Sequence, residues 1–182
     1  MQKSKGFVSA VMFVMTLAMV ACASTRTQKS AGEQVDDTVT TAAVKSALIA
    51  DPVTKAHQID VETFKGTVQL NGFVDSAASK AQATAVARKQ KGVTAVRNNL
   101  TVKTDSSSAS DMVDDSAITA KVKSALAGDP RTKAHQVNVE VRDGVVQLSG
   151  FVDNSEAKST AEELARSVDN VKSVDNEIDV KK

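Results

Sequence analysis

Gly66-Thr-Val-Gln-Leu-Asn-Gly-Phe-Val-Asp75 and Gly144-Val-Val-Gln-Leu-Ser-Gly-Phe-Val-Asp153 are one stretch written twice. Gly144 follows Gly66 by 78 positions, and the same offset carries Asp51 to Asp129, His57 to His135 and Val102 to Val180. No gap interrupts the match, and about half of residues 35–104 are identical to their counterparts in 113–182. A unit of this length is too long for a solenoid repeat, and two copies are too few for an array. The chain therefore reads as a duplicated small domain.

Before each motif the sequence has period two. Ile59, Val61 and Thr63 alternate with Gln58, Asp60 and Glu62, and Val137, Val139 and Val141 alternate with Asn138, Glu140 and Arg142. Such alternation marks half-buried strands. Lys65-Gly66 and Asp143-Gly144 then signal a hairpin turn. The returning strand puts Val68 and Leu70 (Val146 and Leu148 in the second copy) on one face, and Gly72 and Gly150 imply a bulge or a close backbone approach. The opposite face, with Gln69, Asn71, Gln147 and Ser149, should be polar or partly covered by a neighbour.

Upstream, Asp36-Asp37-Thr38 suits a helix start, and Ile118, Val122, Ala125 and Leu126 show helical spacing in the second copy. Asp51-Pro52 and Asp129-Pro130 end that helix, because the residue before proline is pushed out of the α region. Downstream, a second helix is expected from Asp75 and from Asp153, where Asp153-Asn-Ser-Glu156 approximates a capping box. Its inward stripe is Ala161, Leu164, Ala165 and Val168, matched in the first copy by Ala83, Val86, Ala87 and the polar Gln90. A last strand carries Val96, Leu100 and Val102, or Val174, Ile178 and Val180. The fold class is α+β: two tandem α-β-β-α-β domains, each a three-stranded mixed sheet with two helices on one face. The expected division is a signal peptide over 1–21, a lipidated cysteine and flexible tether over 22–34, a first domain over 35–103, a Ser-rich linker over 104–112 and a second domain over 113–182.

The leader is legible on its own. Lys3 and Lys5 precede an apolar run from Phe7 to Ala21 that is too short to span a membrane as a helix, which is the pattern of a secretory signal peptide. The single cysteine closes that run in Leu17-Ala-Met-Val-Ala-Cys22, a stretch that resembles a bacterial lipobox with Met19 where Leu is usual. Lipidation of Cys22 would anchor the protein by acyl chains. Cleavage after Ala23 by an ordinary signal peptidase is the alternative, and it would release a soluble periplasmic protein. Ala23, in place of an inner-membrane retention aspartate, favours the outer membrane.

The 182 residues carry a formal charge of +1, which removal of Lys3 and Lys5 with the leader lowers to −1; Trp and Tyr are absent and Phe occurs five times. That leaves neither a basic stripe nor stacking platforms, so nucleic acid is not an expected partner. His57 and His135 have no Cys or second His at ligand spacing, and no metal or other cofactor is expected. Nothing resembles a nucleophile elbow, and Asp36-Asp37 and Asp114-Asp115 read as helix-start electrostatics; the chain is not expected to be an enzyme. Gly66, Gly72, Gly144 and Gly150 are spread along a strand instead of gathered before a helix, which suits turn and close approach better than a phosphate cradle.

The element order, the doubled Gly-x-Val-x-Leu-x-Gly-x-Val motif and the exported context together resemble the BON domain family, over about residues 35–182. The wording Val-Gln-Leu-Ser-Gly-Phe-Val-Asp resembles soluble osmotic-stress members, whereas Cys22 resembles the outer-membrane lipoprotein members. The resemblance implies a role in envelope integrity or osmotic-stress tolerance, through contact with phospholipid surfaces or envelope proteins. It also implies that the first helix of the second copy meets anionic phospholipid, with Lys121 and Lys123 toward headgroups and Ile118 dipping into the interface; the alternative is that Ile118, Val122 and Leu126 are core and the lysines are solvated. A soluble periplasmic chaperone that holds unfolded clients on Ala-rich helices and free sheet faces is the alternative, and a structural spacer in the envelope is a second one.

Overall fold

A computed structural model describes residues 31–54, 58–103 and 109–182; the leader, Cys22 and His57 lie outside the described residues. The first repeat runs α1 (Ala31–Ala50), β1 (Ile59–Phe64), β2 (Thr67–Val74), α2 (Ala77–Arg88), β3 (Ala95–Asn98) and β4 (Thr101–Val102). The second runs α3 (Ala109–Gly128), β5 (Val137–Arg142), β6 (Val145–Val152), α4 (Ser155–Arg166) and β7 (Ser173–Val180). In each, the central strand pairs antiparallel with the strand before it and parallel with the strand after the helix, so each sheet is mixed. The helices pack on one face of each sheet, as the alternation requires. Val44, Leu48, Val68, Leu70, Ala83 and Leu100 form the first core, and Val122, Leu126, Val146, Leu148, Ala161 and Ile178 the second.

Several boundaries differ from the sequence reading. The first helices begin at Ala31 and Ala109, inside the stretches assigned to tether and linker. Asp36-Asp37 therefore lies within α1 and does not start it. Second helices are capped one residue later than expected: Ser76 Oγ accepts the Ser79 N–H at 3.0 Å, and Asn154 Oδ1 accepts the Ala157 N–H at 2.8 Å. Asp75 and Asp153 are drawn instead to lysines after the last strand, Lys103 at 2.8 Å and Lys181 at 2.7 Å. The last strand of the first repeat is interrupted at Asn99-Leu100, and Val102 beyond the break is 38% exposed. Asn98 Oδ1 takes the Leu100 N–H there while its Nδ2 donates to Lys80 O and Thr84 Oγ1. After Asp51-Pro52 and Asp129-Pro130 a buried threonine closes each first helix, Thr54 donating to Leu48 O and Thr132 to Leu126 O.

The polar sheet faces meet each other. Gln69, Asn71, Gln147 and Ser149 are all at most 2% exposed. Because the helices occupy the other face of each sheet, the molecule has four layers: helices, sheet, sheet, helices. The outer surfaces of α1 and α3 thus lie on opposite sides.

Candidate functional site at the junction of the repeats

The motif encodes this junction. Gly72 has φ +106° and Gly150 φ +119°, a region that disfavours side chains. A Cβ on either would stand 2.2 Å from the carbonyl just before the neighbouring strand, Gln58 O or Gln136 O. The antiparallel register runs up to both glycines without an extra residue and ends there, pairing Ile59 with Gly72 and Val137 with Gly150. Close approach, and not insertion, is what demands glycine. Each glycine N–H is bonded across the junction: Gly72 N–H to Gln147 Oε1 at 2.5 Å, and Gly150 N–H to Gln69 Oε1 at 3.0 Å. Glutamine and glycine are three residues apart in Gln-Leu-x-Gly, and each copy supplies the donor for the other's acceptor. The two copies are thereby related by a pseudo-two-fold.

The remaining contacts make the pairing specific. Gln147 Nε2 donates to Asn99 O at 2.7 Å, and Gln69 Nε2 to Asp179 Oδ2 at 2.6 Å. Asn138 Nδ2 donates to Asp60 Oδ2 at 2.8 Å and to Glu62 Oε1 at 2.9 Å, and Arg97 Nη1 meets Asp179 Oδ1 at 2.8 Å. Phe64 stacks on Phe151 with centroids 5.3 Å apart. Asp60 is the counterpart of Asn138, and Asp175 the counterpart of Arg97. A first repeat facing another first repeat would set acids against acids, and a second facing a second would lose its arginine. Divergence between the copies thus selects first-with-second pairing.

One end of the junction opens into a cleft of about 550 Å³, lined in part by Glu62, Phe64, Lys133, His135, Asp153 and Lys181. Hydrogen bonds from Lys133 and then Lys181 hold the Asp153 carboxyl at about 2. Burial, and next the nearby Asp60 of the other repeat, push the Glu140 carboxyl up. Among the described residues no group of three or more His, Cys, Asp or Glu is arranged to hold a metal ion.

The residues singled out in the sequence fall into separate places. Gly66 and Gly144 sit in the hairpin turns at φ +73° and +77°, each after a second left-handed residue, Lys65 or Asp143. Such a turn leaves two N–H groups pointing out of the hairpin, and the first helix supplies their acceptor. Asp37 takes the N–H of Lys65 at 2.8 Å and of Gly66 at 2.9 Å; Asp115 takes those of Asp143 and Gly144 at 2.7 and 2.8 Å. Asp37 and Asp115, expected with their neighbours at a helix start, are therefore clasps between helix and hairpin. Only their recurrence in both copies could have pointed to this. Ile118, expected to reach lipid, is 3% exposed and lies with Val122 and Leu126 against the sheet, because the i, i+4, i+8 row faces inward. Lys121 and Lys123 are exposed. His135 is exposed in a short helical turn before β5.

The BON domain family matches residues 36–104 and again 114–182. Osmotically-inducible protein Y of Escherichia coli is 40% identical over 151 residues, 82% of this chain and 75% of that protein. Outer membrane lipoprotein DolP of Haemophilus influenzae is 35% identical over 147 residues, 80% of this chain and 75% of that protein. The 21 kDa hemolysin of Actinobacillus pleuropneumoniae is 32% identical over 147 residues, again 80% and 75%. Matched in both copies, the chain belongs to the BON domain family as a tandem pair.

Proposed function

We propose that the protein is a lipid-anchored, non-enzymatic component of the bacterial envelope that supports envelope integrity or osmotic-stress tolerance by contacting phospholipid surfaces. It resides at the periplasmic face of the outer membrane, held there through Cys22. The observation that carries the contact is the outer face of α3, where Lys121 and Lys123 are exposed beside the small residues Ala117, Ala120 and Ser124. They stand two positions apart, so they flank that face from both sides and meet headgroups by charge, without a bulky side chain entering the bilayer. Two relatives, an osmotically inducible protein and an outer membrane lipoprotein, support the location and the stress role.

Vesicle flotation of the mature chain carrying Cys22→Ser tests the contact apart from the anchor. Each lysine near an anionic surface is worth about 1 kcal/mol. Lys121→Gln with Lys123→Gln should therefore lower partitioning onto phosphatidylglycerol vesicles by about thirtyfold. Partitioning that ignores both lysines sinks the reading. A soluble periplasmic chaperone is the second reading, carried by the motif Val-Gln-Leu-Ser-Gly-Phe-Val-Asp, which resembles soluble osmotic-stress members of the family. Such a chaperone would have to hold clients elsewhere than on the sheet faces, which are buried against each other.

A further inference from the structure

Asn71 lies in the junction with no exposed surface, and its hydrogen bonds are incomplete. Its Oδ1 accepts the Nδ2 of Asn99 at 3.1 Å, whereas its own Nδ2 has no partner among the described residues. A buried amide nitrogen left unpaired costs free energy, so docking gains nothing from that end of the side chain. The next residue is Gly72, and Asn71 is the only asparagine of the chain that precedes a glycine; the second copy has Ser149-Gly150. An asparagine side chain and the backbone nitrogen after it can close a five-membered ring. Glycine, without a side chain, lets that nitrogen approach most freely. In the docked molecule it is held away. Gly72 N–H is bonded to Gln147 Oε1 at 2.5 Å, and Phe73 N–H to Gln58 O at 3.2 Å, which fixes the backbone on both sides of the glycine.

We propose that Asn71-Gly72 is a deamidation site which the docked junction keeps closed, and that its reaction undocks the repeats for good. When the repeats part, Gly72 N attacks Cγ of Asn71. A Cγ–N bond forms, the Cγ–Nδ2 bond breaks, and ammonia leaves with the proton of the Gly72 nitrogen. Water then opens the resulting succinimide ring. Addition at Cγ breaks the new bond and leaves an aspartate at position 71. Addition at the main-chain carbonyl breaks the original peptide bond and leaves an isoaspartate, whose backbone runs through Cγ. Neither product suits the junction. A carboxylate at position 71 stands directly opposite Asp60 in the strand register, on the face where Asp60 already accepts Asn138 Nδ2. Like charges so placed repel, and a buried charge without a partner costs more than a buried amide without one. The isoaspartate puts an extra carbon into the backbone just before Gly72, which carries its N–H away from Gln147 Oε1. The reaction thus needs the open junction and its products favour that state. It does not rest on the phospholipid contact of α3.

Peptide mapping by mass spectrometry, on the mature chain carrying Cys22→Ser and incubated at neutral pH, measures conversion at Asn71. Gln147→Ala removes the acceptor of Gly72 N–H. It should convert at least about tenfold faster than the unaltered chain, because the open population sets the rate when opening is fast against the chemistry. Asp37→Ala weakens the first repeat at its hairpin turn, away from the junction, and so separates undocking from unfolding. It should leave conversion within about twofold of the unaltered chain, since local opening and global unfolding are distinct events. Equal acceleration in both variants, or none in Gln147→Ala, overturns the gating. Asn71→Asp writes the aspartate product into the chain and tests the consequence. Exchange of the Gly150 amide, whose acceptor Gln69 Oε1 lies in the other repeat, should rise at least about tenfold while its neighbours in β5 and β6 stay slow. Unchanged exchange at Gly150 in Asn71→Asp overturns the claim that the reaction undocks the repeats.

Discussion

Replacing Gln147 by alanine isolates the chemistry of the junction. The side chain is 2% exposed, accepts the Gly72 N–H and donates to Asn99 O. Gln147→Ala leaves both backbone groups without those partners. A buried polar group stripped of its partner costs about 1–3 kcal/mol, so two cost about 2–6 kcal/mol. Water that enters the space vacated by the side chain recovers part of this, and the expected loss is about 2–4 kcal/mol. Urea unfolding, read by far-UV circular dichroism, measures it. Gln82→Ala is the control, since Gln82 bonds Asp51 on the surface of its own repeat and should cost less than about 1 kcal/mol. Equal losses for the two variants, or a loss below about 0.5 kcal/mol at Gln147, would refute the claim that the repeats are docked through these bonds.

Three further outcomes follow from the same geometry. Asp37→Ala should lose about 2–4 kcal/mol through the two freed turn N–H groups, while Asp36→Ala next to it, exposed, should stay within about 0.5 kcal/mol. Gly150→Ala should cost about 2 kcal/mol or more, because an alanine is strained at φ +119° and its Cβ meets Gln136 O; an unchanged melting temperature would contradict the close approach. Asp153 and Asp129 titrate at about 2 in the folded protein against 3.8 unperturbed, held down by lysines and by Arg131. Their folded values are depressed, so their contribution is present above about pH 4 and is lost as pH falls toward 2. Thermal melts between pH 5 and 2 should show that decline, and Asp153→Asn should flatten part of it.

The elements were legible because the repeat supplied each signal twice: alternation for the strands, Asp-Pro for the helix ends, glycine in the turns. What misled was local reading of polar residues. Asp36-Asp37 has the composition of a helix start, yet the acceptor role of Asp37 depends on a hairpin 28 residues away that only tertiary packing brings near. Likewise Asp75 and Asp153 fit the cap position, but the lysines after the last strand compete for them and Ser76 and Asn154 take over. Gln69 and Gln147 read as a face that is polar or partly covered by a neighbour, with nothing to choose between the two. Alternation tells which residues share a face, not what covers it, and a second copy of the same polar face is a cover that hydropathy does not reveal. The offset of three between glutamine and glycine in both motifs was the one available sign. Ile118 was open between lipid contact, from the resemblance, and core, from its spacing with Val122 and Leu126; it is core.

Docking in this manner turns two small domains, each near the lower size limit for an unaided core, into one body with helices on both outer surfaces. One surface presents lysines and small side chains, the other an uncharged row of valine and isoleucine. Duplication followed by divergence has therefore produced two different faces from one fold, while the motif that fixes the junction stayed nearly the same.

Amide hydrogen exchange at Gly72 and Gly150, resolved by NMR in the mature chain, tests the docking most directly. The acceptor of each N–H belongs to the other repeat, so slow exchange requires the junction to be closed. The account predicts slow exchange at both glycines, with Gly72 becoming fast in Gln147→Ala and Gly150 in Gln69→Ala. Fast exchange at both in the unaltered chain, alongside protected neighbours in β2 and β6, would contradict it.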